Sequence, residues 1–165
     1  MGVIGWRVFS ISNLFLDLGD SLIAFADSVE ILKQNGYGEL DFIKIPLLLD
    51  RGLVELQAES PEGPLRCVLD TGSSASAIHR DLKEGQTLEQ AMKDNISNDL
   101  SLTIGGKNFG PILFFHFPIE SPLKVDAILG MEFLKEHVLF LDFAEGYAYL
   151  SKKDCVKQAS SVEIN

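Results

Sequence analysis

The run Cys67-Val68-Leu69-Asp70-Thr71-Gly72-Ser73-Ser74 carries an acid out of an apolar stretch into a turn of small, hydroxylated residues. An unpaired buried carboxylate is heavily penalised, so an acid at the end of such a stretch is either hydrogen-bonded or put to chemical use. Its neighbours suit both. Gly72 lets the chain turn sharply and bring backbone N–H groups close, while the Thr71 and Ser73 hydroxyls can bond the carboxylate or a facing chain. An isolated Asp-x-Gly is also a serviceable turn, and on these residues alone that reading stays open. Aspartyl-phosphate chemistry fits poorly, because no second Asp stands two residues on and the metal it needs has no evident ligands.

Other constellations are weaker. His79, His116 and His137 are widely spaced, and the first follows an apolar Ile, so surface or strand use is expected of them rather than metal binding. Ile104-Gly105-Gly106-Lys107-Asn108 has a glycine pair and a Lys but lacks the spacing and the Ser or Thr of a phosphate-binding loop. A hairpin turn explains it better. Neither metal nor cofactor is expected.

The elements that must position Asp70 are short apolar runs at 41–49, 53–58 and 65–69, separated by Asp50-Arg51-Gly52 and by Ser60-Pro61-Glu62-Gly63-Pro64. That punctuation predicts antiparallel strands joined by hairpins. A polar stretch over 79–98, with Leu82, Leu88 and Met92 its main apolar positions, reads as a loop and a short helix. Strands resume at 100–104 and 109–117. Val125-Asp126-Ala127-Ile128-Leu129-Gly130 then leads into a short helix over 131–137, and a final hairpin is expected from 138–143 and 147–150. Before all of these, Ile11, Phe15, Leu18, Leu22, Phe25, Val29 and Leu32 recur at steps of four and three, which predicts an N-terminal helix stopped at Gly36. The implied organisation is a helical segment over 1–37, a β domain over 38–152 and a polar, loose tail over 153–165.

Composition bounds the partners. At 165 residues and 46% hydrophobic content the chain is long enough to bury roughly two-thirds of its unfolded surface without disulfides or metal. The formal charge of −10 would repel a phosphate backbone, so no nucleic-acid partner is expected. Cys67 and Cys155 are read as free thiols. Asp17 and Asp20 break the only long apolar stretch, so no membrane span is expected. The same two acids argue against a signal peptide despite Arg7 and the small-x-small pattern Ala24-Phe25-Ala26, which favours a cytoplasmic location over export.

Val68-Leu69-Asp70-Thr71-Gly72-Ser73 resembles the active-site signature of aspartic proteases, two apolar residues followed by Asp-Thr-Gly-Ser/Ala. Ala127-Ile128-Leu129-Gly130-Met131-Glu132-Phe133-Leu134 resembles the second signature of that family, and Val138-Leu139-Phe140-Leu141-Asp142-Phe143 resembles the strand and Asp that close each lobe. Asp70 and Gly130 lie 60 residues apart, similar to a retropepsin monomer, and the resemblance covers residues 41–151. It implies an all-β, retropepsin-like acid protease fold, a small closed β-barrel with one short helix after the Ile-Leu-Gly strand. Here the N-terminal helix would be an addition.

The resemblance also implies a function. With one Asp-Thr-Gly in the chain, the second carboxylate would come from another copy, giving a homodimer that hydrolyses peptide or protein substrates. The site residues carried over are Asp70 as the catalytic acid, Thr71 gripping the facing loop, Gly72, and Ser73 donating to the Asp70 carboxylate. Ile128, Leu129 and Gly130 would buttress the loop from behind. One departure stands out: family enzymes cover the substrate with a Gly-rich hairpin flap, and 79–98 is polar without a clear hairpin. The alternative is therefore a catalytically silent module of the same fold that binds a peptide or protein partner.

Overall fold

The computed structural model describes residues 7, 11–50, 52–82, 84–94, 97–119 and 125–153. The chain runs through β1 (Leu14–Asp17), β2 (Leu22–Phe25), α1 (Val29–Leu32), β3 (Ile43–Pro46), β4 (Leu48–Asp50), β5 (Leu53–Ser60), β6 (Gly63–Leu69) and β7 (Ser76–His79). It continues through α2 (Leu88–Lys93), β8 (Ser97–Ile104), β9 (Lys107–Phe117), β10 (Ala127–Leu129), α3 (Met131–Lys135), β11 (His137–Asp142) and β12 (Tyr147–Lys152).

Six strands close a barrel in the order β5-β6-β10-β7-β9-β8, the ring completed by the single pairing of Glu59 on β5 with Thr103 on β8. β4 adds to the outer edge of β5. The expected closed barrel and the helix after Ile128-Leu129-Gly130 are both present. Alternation supplies the interior: Leu100, Leu102 and Ile104 of β8 face inward beside Phe109, Ile112 and Phe114 of β9. The turn between these strands has both Gly105 and Gly106 at positive φ, +56° and +82°, the backbone twist that tight hairpins demand.

A second sheet, in the order β2-β1-β11-β12-β3, backs the barrel. Every residue of β11 is buried, because Leu139 and Leu141 join the barrel core while Val138 and Phe140 join a smaller cluster with Phe15, Val29 and Leu32. A strand covered on both faces reads as a continuous apolar run rather than an alternating one.

The expected N-terminal helix over 11–32 is replaced by the β1–β2 hairpin, with a 3-10 turn over Leu18–Asp20 and only Val29–Leu32 helical. The apolar stripe does not form one face: Phe15, Val29 and Leu32 are buried, whereas Ile11 is 88% and Phe25 58% exposed. Tertiary pairing decides the matter. β1 is buried at all four positions and supplies the free edge of β11 with its hydrogen bonds, registering Leu14 with Leu141 and Leu16 with Leu139. Asp17, fully buried, accepts from the Tyr37 hydroxyl (3.2 Å) and pairs with Lys153 (2.9 Å). Lys153, expected to open a loose tail, is thus held by Asp17, by Asp20 (2.6 Å) and by its backbone bond to Glu136 (2.8 Å). Burial and the Asp17 carboxylate push the Tyr37 hydroxyl up to about 12, so it remains a donor to Asp17.

Residues 154–165, including Cys155, and residues 1–6 and 8–10 lie outside the described residues. No helix among the described residues is long and apolar enough to cross a membrane.

Candidate active site

β6 buries Cys67 and Val68 and then delivers Asp70 to a half-buried position at the barrel's end. β10 is wedged between the strand that enters this loop and the strand that leaves it. It runs parallel to β6, Leu129 beside Leu69, and antiparallel to β7, Ile128 beside Ala77. Three bonds fasten the loop to that wedge: Asp70 N–H to the Leu129 carbonyl (3.1 Å), Met131 N–H to the Ser73 carbonyl (2.8 Å), and Gly130 N–H to the Ser76 hydroxyl (3.2 Å). Ile128-Leu129-Gly130 therefore sits behind the Asp70 loop in the arrangement the family resemblance implies. Gly130 admits no side chain there, since a Cβ would lie 2.3 Å from the Ala75 carbonyl oxygen and 2.9 Å from that of Ser73.

Within the loop, Gly72 N–H donates to Asp70 Oδ1 (2.8 Å) and Ser73 N–H to the Asp70 carbonyl (3.3 Å). The turn and the half-buried acid are thus one structure, with Oδ1 spent on the turn and Oδ2 taking no hydrogen bond from the described residues. Ser73 departs from its expected bond. Its hydroxyl donates to the Ala75 carbonyl (2.7 Å) instead of the Asp70 carboxylate, because the chain bends back at Ser73 and brings that carbonyl within reach. Thr71 and Gly72 are exposed.

Three further residues set this geometry and were not singled out from sequence. Ser76, fully buried, is the acceptor for Gly130. Asp126 ties three strands together, accepting from Arg66 N–H through Oδ2 (2.8 Å) and from His79 N–H through its carbonyl (2.7 Å) while donating its own N–H to Arg66 O (3.2 Å). Arg66 in turn holds the buried Glu55 (2.6 Å) and Asp50 (3.0 Å), and those bonds, Glu55 first, raise its guanidinium above its usual range. An acid directly before a buried apolar run was the available signal for Asp126; Ser76 gave none, being one small residue among several. Burial, with Asp126 nearby, pushes the Cys67 thiol up to about 12, so it is an inert core residue rather than a nucleophile.

The segment between β7 and β8 is a loop and the short helix α2, as its polarity predicts. Thr87 and Gln90 cap it reciprocally, Thr87 N–H to Gln90 Oε1 (2.8 Å) and Gln90 N–H to Thr87 Oγ1 (3.3 Å), the Thr-x-x-Gln capping box. Arg80 fastens it to the barrel through the Ala91 carbonyl (3.3 Å) and Asp94 (3.5 Å). The three histidines lie apart: His79 bonds Asp81 and Ile119 N–H, His116 bonds Asn98, and His137 is buried. A hollow of about 250 Å³ between Gln57, Leu65, Arg66 and Asp126 shares no residue with the Asp70 loop, which stands open on the surface.

The chain matches no protein-family model and no curated protein. Among solved structures it is similar to a retropepsin-like aspartic protease from Rickettsia conorii, at 21% identity and a TM-score of 0.44 over 69% of this chain and 92% of that one. It is also similar to an aspartic proteinase from Irpex lacteus, at 13% identity and a TM-score of 0.48 over 73% of this chain; it spans 49% of that protein's length.

Proposed function

We propose that the chain is one subunit of an aspartic endopeptidase, in which the Asp70 residues of two copies meet across a two-fold axis. The supporting observation is the clamped loop, which bonds to β10 through Asp70 N–H and to Met131 through the Ser73 carbonyl, yet leaves Oδ2 without a partner among the described residues. A carboxylate so placed is held still and open on one side. Across a two-fold axis it would face its own copy, and two carboxylates a few ångströms apart share one proton. The ionised member takes a proton from water as the water oxygen attacks the peptide carbonyl. The protonated member steadies the developing oxyanion, and as the C–N bond breaks a proton passes to the leaving nitrogen. Thr71, exposed and with no partner among the described residues, is free to bond the facing loop.

One observation favours the second reading, a silent peptide-binding module: between β7 and β8 the chain builds α2 where a substrate-covering hairpin would be expected. Cleavage of a mixed peptide pool across about pH 4 to 7, wild type beside Asp70→Asn, separates the two. The peptidase reading expects cutting by the wild type and none by a variant that still folds and associates. If neither cuts while both are folded dimers, the binding module is the better account.

A further inference from the structure

His137 begins β11 and is 3% exposed, directly beneath α3. Its ring stacks on Phe133 at 4.0 Å and 21°, with Phe109 of β9 at 5.3 Å. Nδ1 lies 2.6 Å from the Phe133 carbonyl. That oxygen can only accept, so Nδ1 carries the proton and Nε2 the lone pair. Nε2 is buried and has no partner among the described residues. The ring therefore closes the C-terminal end of the same short helix whose first residue, Met131, holds the Ser73 carbonyl of the Asp70 loop (2.8 Å).

We propose that His137 is an acid-sensitive latch on the Asp70 loop: a proton added at Nε2 drives α3 off β11 and frees the loop that α3 and β10 fasten. The new N–H would be a buried donor with nothing to donate to, on a ring now charged, and such a group is strongly disfavoured. In the proposed opening, the Phe133 side of α3 lifts and water reaches Nε2. The charged groups around the ring act in opposite directions. Glu136, next in sequence, favours the charged form and Lys152, its register partner on β12, opposes it; α3 offers the Phe133 ring and carbonyl, and β9 only the Phe109 ring. Attraction of an imidazolium to a helix C-terminus is weak for a helix of five residues. Burial dominates and holds His137 below the usual histidine value, ahead of the opposing Phe133 bond.

The sign follows. A proton binds the opened state more readily than the closed one, so the closed state is fully favoured above the ordinary histidine pKa, about 6.5. Below that it loses up to about tenfold in population per pH unit, until the closed state itself takes the proton. The structural half of this inference stands without the peptidase reading; its consequence, cleavage that weakens toward the acid end of the pH range, rests on that reading.

Amide hydrogen exchange on the full chain between about pH 7.5 and 5.5, corrected for intrinsic rates, tests it, with the His137 ring followed by NMR. Protection at Met131 and Leu134 should fall by up to about tenfold per unit below about pH 6.5, in step with the ring, while Leu139 and Tyr149 keep theirs; His137→Phe should abolish the change. Protection independent of pH, an equal loss in the variant, or a ring that titrates without moving those amides overturns the latch. The wild-type data decide the question even if the variant does not fold. Absent cleavage with the exchange pattern intact would count against the peptidase reading alone.

Discussion

A methyl group at position 130 would meet backbone, 2.3 Å from the Ala75 carbonyl oxygen, whereas one at position 72 would meet only the Asp70 side chain at 3.1 Å. The first neighbour cannot yield without moving the loop, and the second can. Gly130→Ala should therefore cost on the order of 1–3 kcal/mol, as forced overpacking does, and lower the melting temperature by several degrees in a chain of this size. Gly72→Ala should cost clearly less; comparable melting losses would show that the close approach at Gly130 is not what sets the loop. Asp70 and Gly72 were legible in the sequence because a turn demands their types locally, whereas Gly130 was legible only through the family resemblance, since the backbone that crowds it belongs to Ser73 and Ala75, far away in the chain. Ser76 and Asp126 were not, since their partners Gly130 and Arg66 stand 54 and 60 residues away. Ser73 lay between: its place in the loop was readable, but a hydroxyl can turn to any nearby acceptor, and it turns to Ala75.

Among the elements, those with internal signals were the readable ones. β8 and β9 alternate and are joined by a glycine pair; α2 was read from its polar stretch alone, and the signal that starts it, Thr87 and Gln90 three residues apart, came to light in the structure. Removing that signal should unwind the helix locally: Thr87→Ala is expected to cost α2 about 1 kcal/mol. Faster amide exchange at Gln90 and Ala91 with unchanged melting of the barrel would bear this out, and an unchanged exchange rate would count against it. The β1–β2 hairpin was misread because a three-and-four spacing says nothing about which partner is available. Phe15 lies opposite Phe140, and the hydrogen-bonding edge of β11 is information that sequence periodicity does not contain.

For the molecule as a whole, the proposed dimer makes activity depend on concentration. Specific activity should fall on dilution and recover on concentrating, and equal mixing of wild type with Asp70→Asn should leave about a quarter of the dimers with two intact carboxylates if subunits exchange freely. Activity that simply halves would point to a site complete within one chain. Association joins two chains of net charge −10, so added salt should tighten it by screening their repulsion.

The wedge of β10 between β6 and β7 has a temporal side. Chains fold as they are made, N-terminal parts first, yet the strand that fastens the Asp70 loop begins only at Ala127. A nascent chain can pair β5 with β6 and β8 with β9 long before that strand leaves the ribosome, but its acid stays unfastened until nearly the whole barrel has been synthesised. A fragment that includes Asp-Thr-Gly but ends before Ala127 has that sequence without the set loop, so under the proposed function such a truncated product carries no half-site.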